Sequence, residues 1–332
     1  MYDIDFSTPI WLKTYYHSIG SINLAFDAFS IYLILFKSEK IDNFRYFLLN
    51  FQTACCFTDI HLTFLFQPVP LYPLISGYVM GSSALFGAST HHCMCGIIFL
   101  LIYQIGSMIA CFVKKHQAIS GILRRFEIPK ILEILMFAYF LIYTLSVVGI
   151  YATLNVPEEE KFDFVKKKYP EFLDGFRSLP NFSIYDPSGL FAKFVIYSVV
   201  GGILAFFTLT LVLFNISRML RILKSKMSAV TYQKHKSAVF CLLAQFATSS
   251  VIFLPPIFYV FVVLTGVNGA QLIVEYLVVI ACSHSTLNVI VLIITFDPYR
   301  KFVFAKVLRK KKPEIRLTAK SSNVGVYNIG SF

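Results

Sequence analysis

Charged residues are scarce in this sequence. Asp, Glu, Lys and Arg make up 14% of its 332 residues, whereas a soluble domain carries about 25%. Hydrophobic residues make up 57% and aromatic residues 17%. Such a composition excludes an ordinary soluble domain and indicates a chain that crosses a membrane several times. Nucleic-acid binding is excluded too, because the net charge of +12 lies between apolar runs and in the C-terminal tail rather than on a soluble basic domain.

Several chemical features are also missing. The seven Cys lie mostly inside apolar runs, which argues against a secreted disulfide framework. Residues 1–17 lack a basic segment and a small-residue cleavage site, so we expect the first crossing to serve as its own insertion signal. No Ser/His/Asp order and no paired carboxylate spacing stands out, so we do not expect an enzyme, and we expect no cofactor.

The best-defined crossing is the last one. The run Gln271 to Phe296 contains only two ionisable side chains, Glu275 and His284. It is long enough to cross a hydrocarbon core of about 30 Å. Pro298 should end or kink the helix, and the dense Lys/Arg cluster that follows marks the cytoplasmic side.

Hydropathy and charge together predict an all-α membrane protein, a seven-transmembrane helix bundle with an extracellular N-terminus and a cytoplasmic C-terminus. Inner segments hold 23 of the 30 Lys and Arg residues and outer segments hold 6. We expect an extracellular segment at 1–18, the bundle at 19–298 and a basic cytoplasmic tail at 299–332. The predicted crossings are about 19–36, 46–66, 84–113, 131–154, 190–216, 237–264 and 271–298.

The longest outer loop, 155–189, is the only large acidic one and contains no Cys. It carries the sequon Asn181-Phe182-Ser183, so we expect a glycan on Asn181. A second sequon at Asn215 lies at the inner membrane edge, where we expect no modification.

Ionisable residues inside crossings are candidate ligand contacts, because a carboxylate in hydrocarbon is costly unless it is paired, hydrated or neutral. Asp59 is the foremost candidate, and the alternative role for it is an interhelical hydrogen bond with Ser285 or Asn288. Asp27 and Glu275 are similar candidates, and Glu275 lies near the outer end of the last crossing, within reach of a ligand that enters from outside. His91 and His284 complete the candidate set.

His91 and Cys95 also have the i,i+4 spacing that metal pairs use on a helix. No carboxylate or further His lies nearby apart from His92, and we favour ordinary packing, with no metal site. Retinal chemistry requires a Lys amine in the last crossing, and Gln271 to Phe296 has none.

Several motifs are similar to those of nematode serpentine chemoreceptors, above all serpentine receptor class I, with class H as the nearest rival. The resemblance spans nearly the whole chain. The motifs are Leu48-Leu49-Asn50-Phe51-Gln52, Thr58-Asp59-Ile60-His61-Leu62-Thr63-Phe64, Gln67-Pro68-Val69-Pro70-Leu71-Tyr72-Pro73, Gly77-Tyr78, Lys115-His116-Gln117, Pro255-Pro256 and Asp297-Pro298-Tyr299-Arg300.

The resemblance implies a chemosensory G-protein-coupled receptor, multi-pass in the plasma membrane of sensory neurons, with a small chemical ligand, a heterotrimeric G protein and the lipid bilayer as its partners. A transporter or a ligand-gated channel is the alternative. The third crossing ends without the acidic-Arg-aromatic triplet of rhodopsin-like receptors, so their activation contacts do not carry over.

The inner half should contain the conformational switch and the G-protein contacts. We expect Pro255-Pro256 to act as the pivot of the sixth helix, since proline disrupts the hydrogen-bond ladder. Asp297, Pro298 and Tyr299 complete the proposed switch. The expected G-protein contacts are Lys114, Lys115, Arg218, Arg221, Lys224, Lys226 and Arg300.

Overall fold

The computed structural model describes residues 4–37, 44–72, 74–179, 181–187, 189–265, 267 and 269–308. These residues form twelve α-helices and one three-stranded sheet. The helices that cross the bundle are α1 (Ile10–Phe36), α2 (Phe44–Ile60), α3 (Thr90–Leu123), α4 (Lys130–Ala152), α7 (Leu190–Leu223), α8 (Ala229–Ser249), α9 (Leu254–Thr265), α10 (Gln271–Cys282) and α11 (His284–Thr295). The remaining helices are α5 (Glu158–Lys168), α6 (Leu173–Arg177) and α12 (Asp297–Leu308).

The described helices make a seven-helix bundle. Six uninterrupted or nearly continuous stretches are long and apolar enough to span a membrane: Ile10–Phe36, Thr90–Leu123, Lys130–Ala152, Leu190–Leu223, Ala229–Val262 and Gln271–Thr295. The second crossing consists of α2 and a π-helical turn, His61–Phe66, which continues it to Gln67. The sixth consists of α8 and α9, and the seventh of α10 and α11.

The outward faces of these helices are apolar, as lipid contact requires. On α4 and α7 many large hydrophobic side chains are exposed, among them Ile131, Leu141, Ile203 and Phe206. The buried side chains form a core that runs along the bundle and includes Phe51, Phe112, Ile216 and Tyr299. Apolar side chains therefore cover the lipid-facing surface of the bundle as well as its interior, unlike in a soluble bundle.

One end of the bundle is closed by a folded cap. Its sheet has strands β1 (Pro68–Pro70), β2 (Ser76–Val79) and β3 (Ser183–Ile184) in the antiparallel order β1-β2-β3. Both prolines lie on an edge strand, where a missing N–H is tolerated. Gly77 is required in β2, because a Cβ there would lie 2.8 Å from the carbonyl oxygen of Val69.

The cap has its own small hydrophobic core. The N-terminal segment contributes Ile4, the sheet contributes Val69 and Ile184, and the long outer loop contributes Val165 and Phe176 from α5 and α6. The loop 155–189 is therefore a packed layer of helix and strand. We call this end the capped end, and the opposite end, which carries the α3–α4 and α7–α8 turns and α12, the basic end.

The third helix differs most from its predicted bounds of 84–113. Residues Ser82–Phe86 form a separate 3-10 turn, and α3 begins only at Thr90, where the Ser89 side chain caps it by accepting from the His92 amide. The helix then continues ten residues further, to Leu123. Ile119, beyond the predicted end, is fully buried in the core of the bundle, so the helix continues past its membrane-spanning part.

The basic end also differs from the prediction at α12. The predicted crossing 271–298 ends at Thr295, and α12 starts at Asp297 as a separate helix that packs against α11. Lys37, just after α1, lies 4.6 Å from the ring centroid of Phe302 on α12. Most of the predicted basic tail, from residue 309 onwards, lies outside the described residues.

Candidate functional site

A buried polar centre lies between α1, α2, α3 and α11. Asp27 on α1 is its first member: Oδ1 accepts hydrogen bonds from Gln52 Nε2 of α2 and from Ser285 Oγ of α11, each at 2.9 Å. All three residues are fully buried. One carboxylate oxygen therefore joins three crossings.

Asp59 on α2 lies next to this pair and is 2% exposed. Its carboxyl group lies close to the side chains of Asp27, Ser285 and Asn23. Its Oδ1 lies 3.8 Å from His284 Nδ1, which is beyond hydrogen-bonding distance. Of the sequence candidates, Asp59 and His284 are thus brought together.

Both ring nitrogens of His284 lie close to polar neighbours. Nδ1 lies 2.9 Å from the carbonyl oxygen of Ala281, which only accepts, so Nδ1 donates to it. Nε2 lies 3.5 Å from Gln104 Nε2. Gln104 Oε1 in turn lies 3.3 Å from the hydroxyl of Thr58, which also bonds the carbonyl oxygen of Ala54 at 2.8 Å. The proton on Nδ1 is therefore directed at Ala281 rather than at Asp59.

Acceptor oxygens in this centre are in excess. Within the described part of the chain, Asp27 Oδ2, both oxygens of Asp59 and Gln52 Oε1 have no hydrogen-bond partner. Buried carboxylate oxygens left in this state are costly in a membrane interior. The centre is suited to take up a proton, water or a hydrogen-bond donor of a ligand, and its helices can respond when it does.

Asn23 connects the centre to the break in the seventh crossing. Its Nδ2 donates to the carbonyl oxygen of Cys282 at 2.8 Å, and its Oδ1 accepts from Thr286 Oγ1 at 2.5 Å. Cys282 ends α10 and His284 begins α11. Asn23 therefore satisfies a carbonyl group at the helix junction and fixes α1 against it.

A second polar contact leads from the centre to the sixth crossing. Asn288 on α11 accepts a hydrogen bond from Thr248 Oγ1 of α8 at 3.3 Å and faces Cys55 Sγ at 3.9 Å. Thr248 lies in the last turn of α8, just before the 3-10 turn Ser250–Phe253. The polar residues on α11 thus contact the helix that carries the proline pair.

Pro255 and Pro256 are the second and third residues of α9, which begins at Leu254 directly after that 3-10 turn. Pro255 is buried and Pro256 is exposed. Because neither residue has an N–H, the carbonyl groups of Val251 and Ile252 lose their helical partners, and the ladder tightens to 3-10 geometry there.

Glu275 lies nearer the capped end, apart from the polar centre. It is 7% exposed. Gln271 Nε2 donates to Glu275 Oε1 and to the carbonyl oxygen of Pro70, each at 2.8 Å. Gln271 Oε1 accepts from the amide of Tyr72 at 2.8 Å. Glu275 is therefore part of the junction between α10 and the sheet.

His91 also lies beneath the cap. Its ring stacks on Tyr151 of α4 with centroids 5.0 Å apart. Nδ1 lies 3.0 Å from the hydroxyl of Tyr185, and Nε2 lies 3.3 Å from the carbonyl oxygen of Ala152. Burial raises the pKa of Tyr185 to about 12, so its hydroxyl stays neutral. Both ring nitrogens of His91 have protein partners, which leaves none for a metal shared with Cys95.

The candidate G-protein contacts fall into two groups. Arg218, Arg221, Lys224 and Lys226 are exposed at the end of α7 and in the turn after it. Lys114, by contrast, forms an ion pair with Glu133 of α4. Lys115 is 8% exposed, and its ammonium lies over the ring of Phe44.

At the start of α12, Arg300 pairs with Asp297 in the same turn. Pro298 follows Asp297 as the second residue of the helix, where its missing N–H costs nothing. Tyr299 is fully buried against Phe296, with ring centroids 4.6 Å apart. The three proposed switch residues therefore form the first turn of α12, directly after Phe296, the extended residue between α11 and α12.

Sequence reasoning singled out Asp27 as an acid similar to Asp59 but missed Asn23, Gln52 and Gln104 as members of the centre. The signal was present: Asn23 and Asp27 are spaced i,i+4, and Gln52 and Asp59 are two helical turns apart. Residues at those spacings share a helix face. Periodicity alone does not show that these faces meet.

Comparison with known proteins identifies relatives. Residues 2–303 match the family model described as serpentine type 7TM GPCR chemoreceptor Sri. The crystal structure of squid rhodopsin is similar in fold, with a TM-score of 0.54 and 12% sequence identity over 92% of this chain and 87% of that chain. A search of curated proteins finds no match.

Proposed function

Because the chain belongs to the Sri family of serpentine seven-transmembrane GPCR chemoreceptors, we propose that it binds a small molecule from outside the cell and signals to a heterotrimeric G protein. In this proposal the capped end faces outward and the basic end faces the cytoplasm, at the plasma membrane of sensory neurons. The charge bias of the connecting segments supports this orientation.

The observation that carries the proposal is the excess of unpartnered acceptor oxygens around Asp59. A ligand with a hydrogen-bond donor or a positive charge would satisfy these oxygens, and it would bind one helix arrangement more tightly than another. Only such differential affinity shifts a conformational equilibrium. Asp59 and His284 are the proposed ligand contacts in the polar centre. Glu275 and His91 are proposed to contact the ligand as it enters beneath the cap.

The response would reach the basic end through α11. Ser285 donates a hydrogen bond to Asp27, the neighbour of Asp59. Asn288, one turn further along α11, contacts Thr248 of α8. A shift of α11 therefore changes the packing of α8 next to the proline-disrupted segment. Movement of α8 would then expose or reorient the basic turn between α7 and α8.

The G protein is proposed to contact Arg218, Arg221, Lys224 and Lys226, whose side chains are exposed. Arg300 on α12 joins this surface, since it is exposed although it pairs with Asp297. Lys114 and Lys115 would contribute only after the Lys114–Glu133 pair opens.

The experiment is a ligand-evoked second-messenger assay in cells, normalised to surface receptor, after a screen of volatile and water-soluble odorants. Asp59→Asn keeps the shape of the side chain and replaces one acceptor oxygen by an amide donor, so we expect loss of response. Asp163→Asn, on the exposed face of α5, is the matched control and should respond normally. Equal responses from both variants would refute the role of Asp59. Ligand-evoked current in cells without G proteins would support the channel alternative.

A further inference from the structure

One lysine of the cap is buried. Lys161 lies on α5, in the long outer loop, and is 4% exposed. The apolar stem of a lysine packs readily against a core, but its ammonium group normally reaches water. The side chain of Lys161 as a whole is 5% exposed, so little of the ammonium group does so here. A buried cation is costly unless a hydrogen-bonded anion accompanies it.

The partners of Lys161 do not meet this requirement. In the part of the chain that the structure describes, its Nζ forms no hydrogen bond, and its one ion pair, with Glu158 Oε2, is 3.9 Å long. The side chain of Glu158 is 73% exposed, so water screens this pair and it contributes little. The ring centroid of Phe182 lies 5.6 Å from Nζ, near the outer limit of a cation–π contact.

A second lysine of α5 provides the comparison. Lys168 Nζ donates to Asp186 Oδ2 at 2.8 Å and lies 4.9 Å from the ring centroid of Phe164. Its side chain is 42% exposed, so it needs a partner less than Lys161 does. The more buried of the two ammonium groups is thus the less well paired. This contrast indicates that the charge of Lys161 has a role other than stabilising the cap.

The surroundings of Lys161 favour an anion. Lys161 lies close to His91, in the first turn of α3. The N-terminal end of a helix carries a partial positive charge, so it adds to the field of the ammonium group. A carboxylate in this position would gain a charge-assisted hydrogen bond from Nζ in a region that is partly shielded from water.

An aromatic wall continues from His91 towards the bundle. The ring of Tyr151 lies 5.1 Å from that of Phe194, and the ring of Tyr185 lies 6.0 Å from that of Phe191. Phe191 and Phe194 are half-buried at the start of α7. Aromatic rings of this kind pack well against an apolar body. The region therefore suits a molecule with one negative charge and an apolar remainder.

We propose that Lys161 is the anion-binding residue of an entry site beneath the cap, and that this site takes small organic carboxylates. The ligand carboxylate replaces that of Glu158 at Nζ, and its apolar body packs against Phe191 and Phe194. The inference rests on the proposed function for the outward orientation of the cap, and it names the ligand class that the proposed function leaves open.

The test is thermal unfolding of the purified full-length receptor, without G protein, in increasing concentrations of butyrate or butyramide. The two molecules have the same carbon chain, but only butyrate is charged. We expect a saturable rise in the unfolding temperature with butyrate and none with butyramide, because a ligand that binds only the folded state stabilises it. Chloride and inorganic phosphate are compared at the same ionic strength. An equal saturable rise with these ions would overturn the assignment to carboxylates.

Two lysine variants locate the site. Lys161→Met keeps the apolar stem and removes the charge, so butyrate should bind about tenfold more weakly, as expected for the loss of a charge-assisted hydrogen bond. Lys168→Met makes the same change on the same helix and is the matched control, with unchanged affinity expected. Unchanged affinity in Lys161→Met, or equal weakening in both variants, would overturn the proposal.

Glu158→Gln tests the displacement and does not require Lys161→Met to fold. Removal of the competing carboxylate should strengthen butyrate binding severalfold, whereas Glu159→Gln, at the next exposed residue, should not change it. Unchanged affinity in Glu158→Gln would contradict the proposal. Butyrate has no hydrogen-bond donor for Asp59, so its failure to bind would refute the entry site alone. A normal response from Asp59→Asn would refute the polar centre and leave butyrate binding intact.

Discussion

Thr90, the first residue of α3, donates two hydrogen bonds to the main-chain carbonyl oxygen of Asn181. The amide nitrogen lies at 3.3 Å and the side-chain hydroxyl at 2.5 Å. Asn181 adopts a left-handed conformation with φ of 56°, which turns its carbonyl towards the helix. The long outer loop is thus fixed to the third crossing without a covalent bond.

The Thr90 hydroxyl gives the first prediction. Thr90→Val keeps the shape of the side chain and removes one hydrogen bond, which should lower the free energy of unfolding by about 1 kcal/mol. The measurement is thermal unfolding of the purified receptor in detergent. Thr208→Val is the matched control, because Thr208 is half-buried on α7 and bonds only within its own helix. An equal loss in both variants would show that the loop contact is not stabilising.

Free thiols give the second prediction. All seven Cys are free. Alkylation under denaturing conditions without a reducing agent should therefore add seven labels to the intact mass. Cys93→Ser and Cys95→Ser should both reach the cell surface, since neither residue pairs with the outer loop. Fewer labels, restored to the full number by a reducing agent, would reveal a disulfide.

Two adjacent glycines on α7 give the third prediction. A Cβ on Gly201 would collide with the hydroxyl group of Tyr143 on α4, whereas a Cβ on Gly202 would meet no atom within 4 Å. Gly201→Ala should destabilise the receptor by about 1–3 kcal/mol through overpacking. Gly202→Ala should be neutral or slightly stabilising, because alanine restricts the unfolded chain and favours helix.

Thermal unfolding of both glycine variants checks this contrast. Tyr143→Ala removes the hydroxyl group and the ring atoms that a Cβ on Gly201 would meet, so the double variant should lose less stability than the sum of the two single variants. Additive losses would show that the strain does not come from Tyr143.

The sequence was sufficient to predict the seven-helix bundle, because long apolar runs and the Lys/Arg bias are local properties of the chain. It was less informative about helix ends. α1 begins at Ile10, directly after Pro9 and nine residues before the predicted crossing, and Leu12 and Tyr16 are fully buried there. Hydropathy follows the lipid-facing residues and does not detect turns that pack against other protein elements.

The polar centre was predicted only in part for a related reason. Asp59 was conspicuous because it is charged, and His284 and Ser285 were considered beside it. The contact of Asp59 with Asp27 depends on how α1 and α2 are rotated against each other. That rotation is set by packing, for example of Gly20 on α1 against Phe64. Sequence spacing gives the face of each helix and leaves their mutual alignment open.

Glycosylation of Asn181 is the fourth prediction and tests the orientation of the bundle. Asn181 is half-buried, while Phe182 and Ser183 are buried in the cap, so the glycan must be added before the loop folds. Treatment with an N-glycosidase should lower the mass of the expressed protein. Ser183→Ala should abolish this shift without disturbing the fold, because its hydroxyl group has no partner. An unmodified wild-type chain, with Lys226 labelled from outside the cell, would reverse the proposed orientation.

The last prediction concerns the proline pair and the signalling path. Replacing Pro255 and Pro256 by Ala supplies N–H groups to the carbonyl groups of Val251 and Ile252, and the 3-10 turn Ser250–Phe253 should revert to α-helix. A continuous helix is stiffer and bends less when α11 shifts against Thr248. Allosteric coupling is on the order of 1–3 kcal/mol, so modest stiffening should remove most of the ligand-evoked signal while ligand binding persists, because Asp59 and His284 lie on other helices.

The measurement compares ligand binding with second-messenger output per surface receptor. Full signalling from the double variant would show that the sixth helix transmits the response without bending at the prolines.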